Sequence, residues 1–278
     1  MRINHNLSAM NTHRQLAINN SEVAKSTEKL SSGYRINRAG DDAAGLSISE
    51  KMRGQIRGLD MASRNSQDGI SLIQTAEGSL NEAHDILQRM RELAVQSGND
   101  TNVSVDRDAL NKEFAQLQSE LGRIKDNTEF NTQKLLNGTA GSAGTVTLQV
   151  GANNGQTIGV NMKTSGVNLS GVVAKLSAGN TLKTRASAAA LITRVDDMIK
   201  VVSSGRSYLG AMQNRLEHTI KNLDNSSENL QAAESRIRDV DMAKEMMTLS
   251  KNNILQQAAQ AMLAQANQAP QGVLQLLR

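Results

Sequence analysis

The 278-residue chain is 38% hydrophobic, enough to bury a core, but it has only two Tyr, two Phe and no Trp, which suits thin helical bundles seamed with Leu, Ile, Met and Ala better than a compact enzyme interior. Its 31 basic and 27 acidic residues leave a net charge of +4; the two signs interleave, and without stacking aromatics they describe a solvated helical surface and argue against a nucleic-acid partner. The absence of cysteine excludes a disulfide framework, a Cys-ligated metal and a Cys nucleophile.

The first twenty residues carry no apolar h-region and no small-residue cleavage site, so any export is expected to bypass a cleaved signal peptide. No run of about 18 apolar residues occurs, and no membrane partner is expected. From Ile3 to Leu30 two narrow stripes run at largely sevenfold spacing, Ile3, Leu7, Met10, Ala17, Ala24 and Ala9, Leu16, Val23, Leu30; narrow stripes want partner helices on more than one side. Ser31, Ser32 and Gly33 break the pattern, and Arg35 to Gly45 reads as a polar, glycine-punctuated connector. Asp41 and Asp42 directly precede Ala43, where carboxylates meet the free amides of a helix start.

A helix resumes near Leu46 and tightens into Ile73, Ala76, Leu80, Ala83, Leu87, Met90 and Ala94, alternating steps of three and four, until Gly98, Asn99 and Asp100 supply a stop. Leu93 and Val95 lie off that seam and are expected to widen the apolar surface toward a second partner. A third helix is expected over Val105 to Lys125, seated on Leu110, Phe114, Leu117, Leu121 and Ile124, with 127–136 a loop containing extended pieces and Gly138 to Gly144 a small-residue connector. The period then changes to two: Val146, Leu148 and Val150, then Ile158, Val160 and Met162 beyond an Asn153, Asn154, Gly155 turn, form a hairpin. Thr164 to Ala190 has no sustained period. From Leu191 to Met247 one register of fours and threes runs unbroken; at about 1.5 Å per residue such a helix reaches roughly 85 Å, too long for a globule of this size. Pro270, the single proline, lies almost at the end, so no earlier helix is interrupted by one.

These elements predict a mainly α fold: an elongated antiparallel coiled-coil rod over 41–239 with an irregular β-hairpin region at 138–190, plus N- and C-terminal helices, 1–40 with 240–278, that pair into an inner layer. Their stripes are rich in Ala and interrupted by Asn and Gln, so the terminal segments are expected to order only against neighbouring copies. Within the long helix, Gly205, Thr219, Ser226 and Lys244 are the polar seats where a bend or a shift of packing partner is expected, with the break between rod and tail nearest Lys244.

Catalytic chemistry finds no foothold. His5, His13, His84 and His218 are far apart and match no metal spacing. Gly138, Gly141 and Gly144 lack the GxGxxG order and a following P-loop lysine. No catalytic residue, metal site or cofactor is therefore assigned, and the chain is not expected to be an enzyme.

The stretches LSSGYRINRAGDDAAGLSISEKMRGQIRGL at 30–59, NSQDGISLIQTAEGSL at 65–80, QRMRELAVQ at 88–96, AAESRIRDVDMAKEM at 232–246 and the closing QANQAPQGVLQLLR closely resemble bacterial flagellin, in a short form without the outer variable domains. The resemblance implies a self-assembling subunit of an extracellular flagellar filament, a helical homopolymer used for motility, exported without a cleaved signal peptide through the flagellar type III apparatus. It implies an export chaperone, cap and junction proteins, and host flagellin receptors as partners. Arg35, Arg38, Asp41, Asp42 and Gly45 would join the layers; Gln88, Arg89, Leu93, Gln96 and Glu113 would form an innate-receptor and inter-subunit surface; and Val273, Leu274, Leu276 and Leu277 would be read by chaperones or intracellular sensors. A hook–filament junction protein and a basic coiled-coil adaptor are the alternative readings.

Overall fold

The computed structural model describes residues 6–177 and 182–276, with side chains placed for 6–176 and 182–268. In chain order the elements are helices α1 (Leu7–Ser32), α2 (Ala43–Ser97) and α3 (Ser104–Asn127), strands β1 (Glu129–Phe130), β2 (Gln133–Lys134), β3 (Thr145–Gln149) and β4 (Thr157–Asn161), and helices α4 (Ser170–Ser177), α5 (Arg185–Arg238) and α6 (Met242–Leu276). The fold is mainly α with a small β region, as the periodicities predict. It divides into two compact units, one formed by Met1–Gly54 with Glu228–Arg278 and the other by Gln55–Ser227.

The Gln55–Ser227 unit holds the hydrophobic core. Ile73, Ala76, Leu80, Ala83, Leu87, Met90 and Ala94 of α2 are all fully buried, and they meet Phe114 and Leu121 of α3 and the seats Leu191, Val195, Met198, Val202, Leu209, Met212 and Leu216 of α5 in one cluster. Burying a Leu- or Met-sized side chain is worth about 1.5–3 kcal/mol, so this repeated seam, rather than helix propensity, holds the three helices in register. The hairpin pairs β3 with β4 antiparallel, Val146 opposite Val160 and Leu148 opposite Ile158. It is pinned at both edges: the Tyr208 hydroxyl of α5 accepts from the Asn161 amide at 3.0 Å, and the Asn65 side chain of α2 donates to the Gln149 carbonyl at 3.1 Å. The 127–136 segment contains a second, two-residue ladder, β1 with β2, turning through Asn131 and Thr132 at φ of 49° and 64°.

Gly205 is buried within α5. A Cβ there would overlap the backbone of Gly166 and Val167. It therefore lets the 164–169 strap lie directly on the helix, a change of packing partner at this seat.

The other unit is built differently. α1 runs antiparallel along α6: the Asn6 side chain donates to the Ala266 carbonyl at 2.7 Å, and the Gln256 amide to Asn20 Oδ1 at 2.8 Å. Among the described residues the two helices bury only Ser26 and Ala259. The unbroken register expected from Leu191 to Met247 is corrected here: α5 stops at Arg238 and α6 starts at Met242, so the break lies at Asp239–Asp241, ahead of Lys244. Asp241 Oδ1 accepts from the Lys244 amide at 3.1 Å, which is a helix N-cap, while the Val240 amide leaves the helical pattern to donate to the Gly33 carbonyl at 3.0 Å.

Candidate functional site

Two exposed regions gather the residues singled out by sequence. The first is the connector between α1 and α2, within the Met1–Gly54/Glu228–Arg278 unit. Gly33 closes α1 in the left-handed conformation at φ 75°, its amide donating to the Lys29 carbonyl at 2.9 Å; glycine adopts this φ without a Cβ penalty. Asp41 Oδ2 then folds the loop by accepting from the amides of Arg38 at 2.9 Å and Asn37 at 3.1 Å. Those two amides, Arg38 first, hold the Asp41 carboxyl below its ordinary value of 3.8. Asp42 is the N-cap of α2, with Oδ1 accepting from the Gly45 amide at 2.8 Å. Gly45 is required sterically, since a Cβ would overlap the Asp42 carboxylate and press on buried Ile36. Arg38 forks onto the Glu28 carboxylate at 3.1 and 3.2 Å, but it is so exposed that the pair orders the loop more than it stabilises it.

Arg35 ties this loop to the second chain break. Its guanidinium donates twice to the Ile237 carbonyl, at 3.2 and 2.7 Å, and its amide donates to the Arg238 carbonyl at 2.6 Å. Tyr34 pairs with Asp239 in an isolated antiparallel bridge, and the Arg238 guanidinium lies 4.7 Å over the Tyr34 ring, a cation–π contact. Arg238 also reaches Glu50 at 3.2 Å. Periodicity missed Tyr34, Glu50 and Arg238 as members of this site. The available signal was Asp241, an N-cap residue type set just before a new apolar run.

The second region is the α2–α3 face of the Gln55–Ser227 unit. Arg89 sits between Glu113 of α3, at 2.9 Å, and Glu92, also at 2.9 Å; the hydrogen bonds it donates to these carboxylates, Glu92 first, raise its pKa further. Gln88, Gln96 and Glu113 are exposed beside it. Leu93 is not: it is fully buried, which corrects the expectation that it widens an exposed apolar surface. Arg89 pairs toward α3, and Arg91 pairs with Asp196 of α5 at 2.6 Å. The two arginines bracket an inward arc, and at about 100° per residue Leu93 falls inside it with Met90, Ala94 and Ser97. Val95, outside the arc, is 50% exposed. Leu93 therefore supports the Arg89–Glu113 face from beneath.

The third group, Val273, Leu274, Leu276 and Leu277, lies outside the described residues: Leu277 altogether, the others in their side chains. Among the described residues no group of three or more His, Cys, Asp or Glu could hold a metal ion, and no helix is long and apolar enough to cross a membrane.

The family model for the bacterial flagellin N-terminal helical region matches residues 3–141, and that for the C-terminal helical region matches residues 192–277. The chain belongs to the flagellin family. It is 67% identical over 278 residues to a flagellin of Halalkalibacterium halodurans, covering 100% of both chains, and 56% identical over 304 residues to a flagellin of Bacillus subtilis, again covering 100% of both. The crystal structure of Bacillus cereus flagellin matches with a TM-score of 0.51 and 32% identity, over 62% of this chain and 94% of that one. The protein is thus a structural subunit of the bacterial flagellar filament.

Proposed function

We propose that copies of this chain polymerise chiefly through the exposed apolar faces of α1 and α6, the unit corresponding to the terminal inner-layer domain expected from sequence. One observation carries this reading. Leu7, Met10, Ile18, Met242, Met246, Met247, Ile254, Leu255 and Met262 are each 42–68% exposed, on two helices that among the described residues bury a single apolar side chain, Ala259. Apolar surface on that scale marks an interaction site, and a heterologous contact repeated by a rotation that does not close yields an open helical filament. The Arg35–Gly45 connector, with Arg38, Asp41 and Asp42, sets how subunits pack in the filament. The Arg89–Glu113 face, with Gln88 and Gln96, meets a neighbouring copy in the filament and host flagellin receptors on the free subunit.

The same reading has the chain exported uncleaved by the flagellar type III route. A dedicated chaperone would hold the segment containing Val273, Leu274, Leu276 and Leu277 until assembly beneath the cap and onto the junction proteins. The test is polymerisation of purified protein after a salting-out step, followed by electron microscopy. Wild type should give tubes of uniform diameter and Ile254→Glu none, with its far-ultraviolet circular dichroism unchanged. Tubes from Ile254→Glu at the wild-type concentration would reject α6 as the contact surface.

A further inference from the structure

With no cysteine in the chain, its readily oxidised sulfur lies in methionine, and the fold exposes the methionines unequally. Met90, Met162, Met198 and Met212 of the Gln55–Ser227 unit are buried to 7% exposure or less, while Met61 of the same unit is 50% exposed and stands alone on its face of α2, without a second methionine beside it. Met10, Met242, Met246, Met247 and Met262, all on α1 or α6, are 49–68% exposed. Met246 and Met247 are adjacent and head two neighbouring rows of α6, Met246–Ser250–Ile254 and Met247–Lys251–Leu255, which together line one shallow apolar concavity. A thioether suits such a surface because it is flexible, polarizable and fits irregular partners.

We propose that Met246 and Met247 are an oxidation site that controls whether a free subunit can polymerise. In the step, hydrogen peroxide transfers one oxygen to the thioether sulfur: the O–O bond breaks, an S–O bond forms, the sulfur loses two electrons and the peroxide leaves as water. The product sulfoxide is polar and chiral, and burying it against an apolar neighbour without a hydrogen-bond partner is unfavourable. The inference rests on the reading of α6 as a subunit contact. It adds that the contact is chemically vulnerable only before assembly, because packing against a neighbour removes the sulfurs from the oxidant.

The experiment treats full-length subunit with hydrogen peroxide, maps sulfoxides by peptide mass spectrometry, and measures the concentration needed to polymerise. Met246 and Met247 should oxidise while Met90, Met162, Met198 and Met212 do not, and the critical concentration should rise by about tenfold or more, as one unsatisfied buried polar group implies. Filaments formed first and then treated should keep Met246 and Met247 reduced. The Met246→Leu, Met247→Leu double variant, a volume-conserving change, should polymerise with or without peroxide. Unimpaired polymerisation of the oxidised wild type, or equal inhibition of the double variant, would overturn the site. Failure of untreated wild type to polymerise would instead overturn the assembly reading, and this inference with it.

Discussion

Replacing Gly205 by Ala sets two opposing effects against each other. In a helix interior Ala is better than Gly by about 1 kcal/mol, so propensity alone favours the variant. The added Cβ, however, would overlap the carbonyl carbon and oxygen of Gly166 and the amide of Val167. All three are backbone atoms that cannot rotate aside, and Gly166 is itself held at φ 97°. Overpacking of this kind costs about 1–3 kcal/mol, and here the strap 164–169 must lift to relieve it.

Gly210 in the same helix supplies the control, since a Cβ there meets nothing within 4 Å; Gly210→Ala should be stabilising by about 1 kcal/mol. The propensity gain is common to both variants, so they should differ by the overlap cost of roughly 1–3 kcal/mol, and at about 2–4 °C per kcal/mol for a unit of this size the melting temperatures should separate by roughly 2–12 °C. Thermal unfolding of the free subunit followed by circular dichroism reads this directly. A Gly205→Ala protein that melts at or above the Gly210→Ala protein would refute the close approach of strap and helix.

Asp42→Ala removes the α2 N-cap and should cost about 1 kcal/mol of subunit stability; with Asp41→Ala added, filament formation should fail or yield an altered helical form, and unchanged polymerisation and swimming would reject the connector's role. Asp41 also sets a pH dependence. Its folded pKa lies below 3.8, so its contribution is fully present above that value and is lost as pH falls through the lower folded value; titrating the subunit from pH 7 to 5 should not loosen the loop through Asp41, and the protection of the Asn37 and Arg38 amides from exchange, relative to the unstructured rate at the same pH, should fall only below about pH 4. A double-mutant cycle on Arg89 and Glu113 should give a coupling of at most about 1 kcal/mol, because both groups are half exposed, and a larger value would mean that the face is more enclosed than described.

The seams were legible because periodicity reports which residues share a helix face, and long helices repeat that report many times; every expected seat of α2 and α5 from Ile73 to Ala94 and from Leu191 to Met212 is buried or closely packed. Leu93 was not legible, since its burial depends on α3 and α5 flanking α2 at once, a tertiary fact that one helix's pattern does not encode. The break at 239–241 hid for a related reason. Val240 keeps an apolar seat in the register, while the hydrogen bonds that divert the chain there come from Gly33 and Arg35, some two hundred residues away in sequence. The turn at Asn131 and Thr132 carries no glycine, so the usual hairpin signal was missing.

The contacts between Gly33–Arg35 and Ile237–Val240, at the paired helix breaks, bear on how a subunit carries load. A single covalent strand between two helices offers its backbone bonds as swivels, and a twist applied at one end dissipates in them. Here two strands run side by side, stitched by Arg35 to Arg238, by Val240 to Gly33 and by a guanidinium stacked on Tyr34. Neither can swivel unless the other follows, so the junction can flex as a strap flexes but resists winding. A twist along α1 or α6 is therefore met by both strands together rather than taken up by either one.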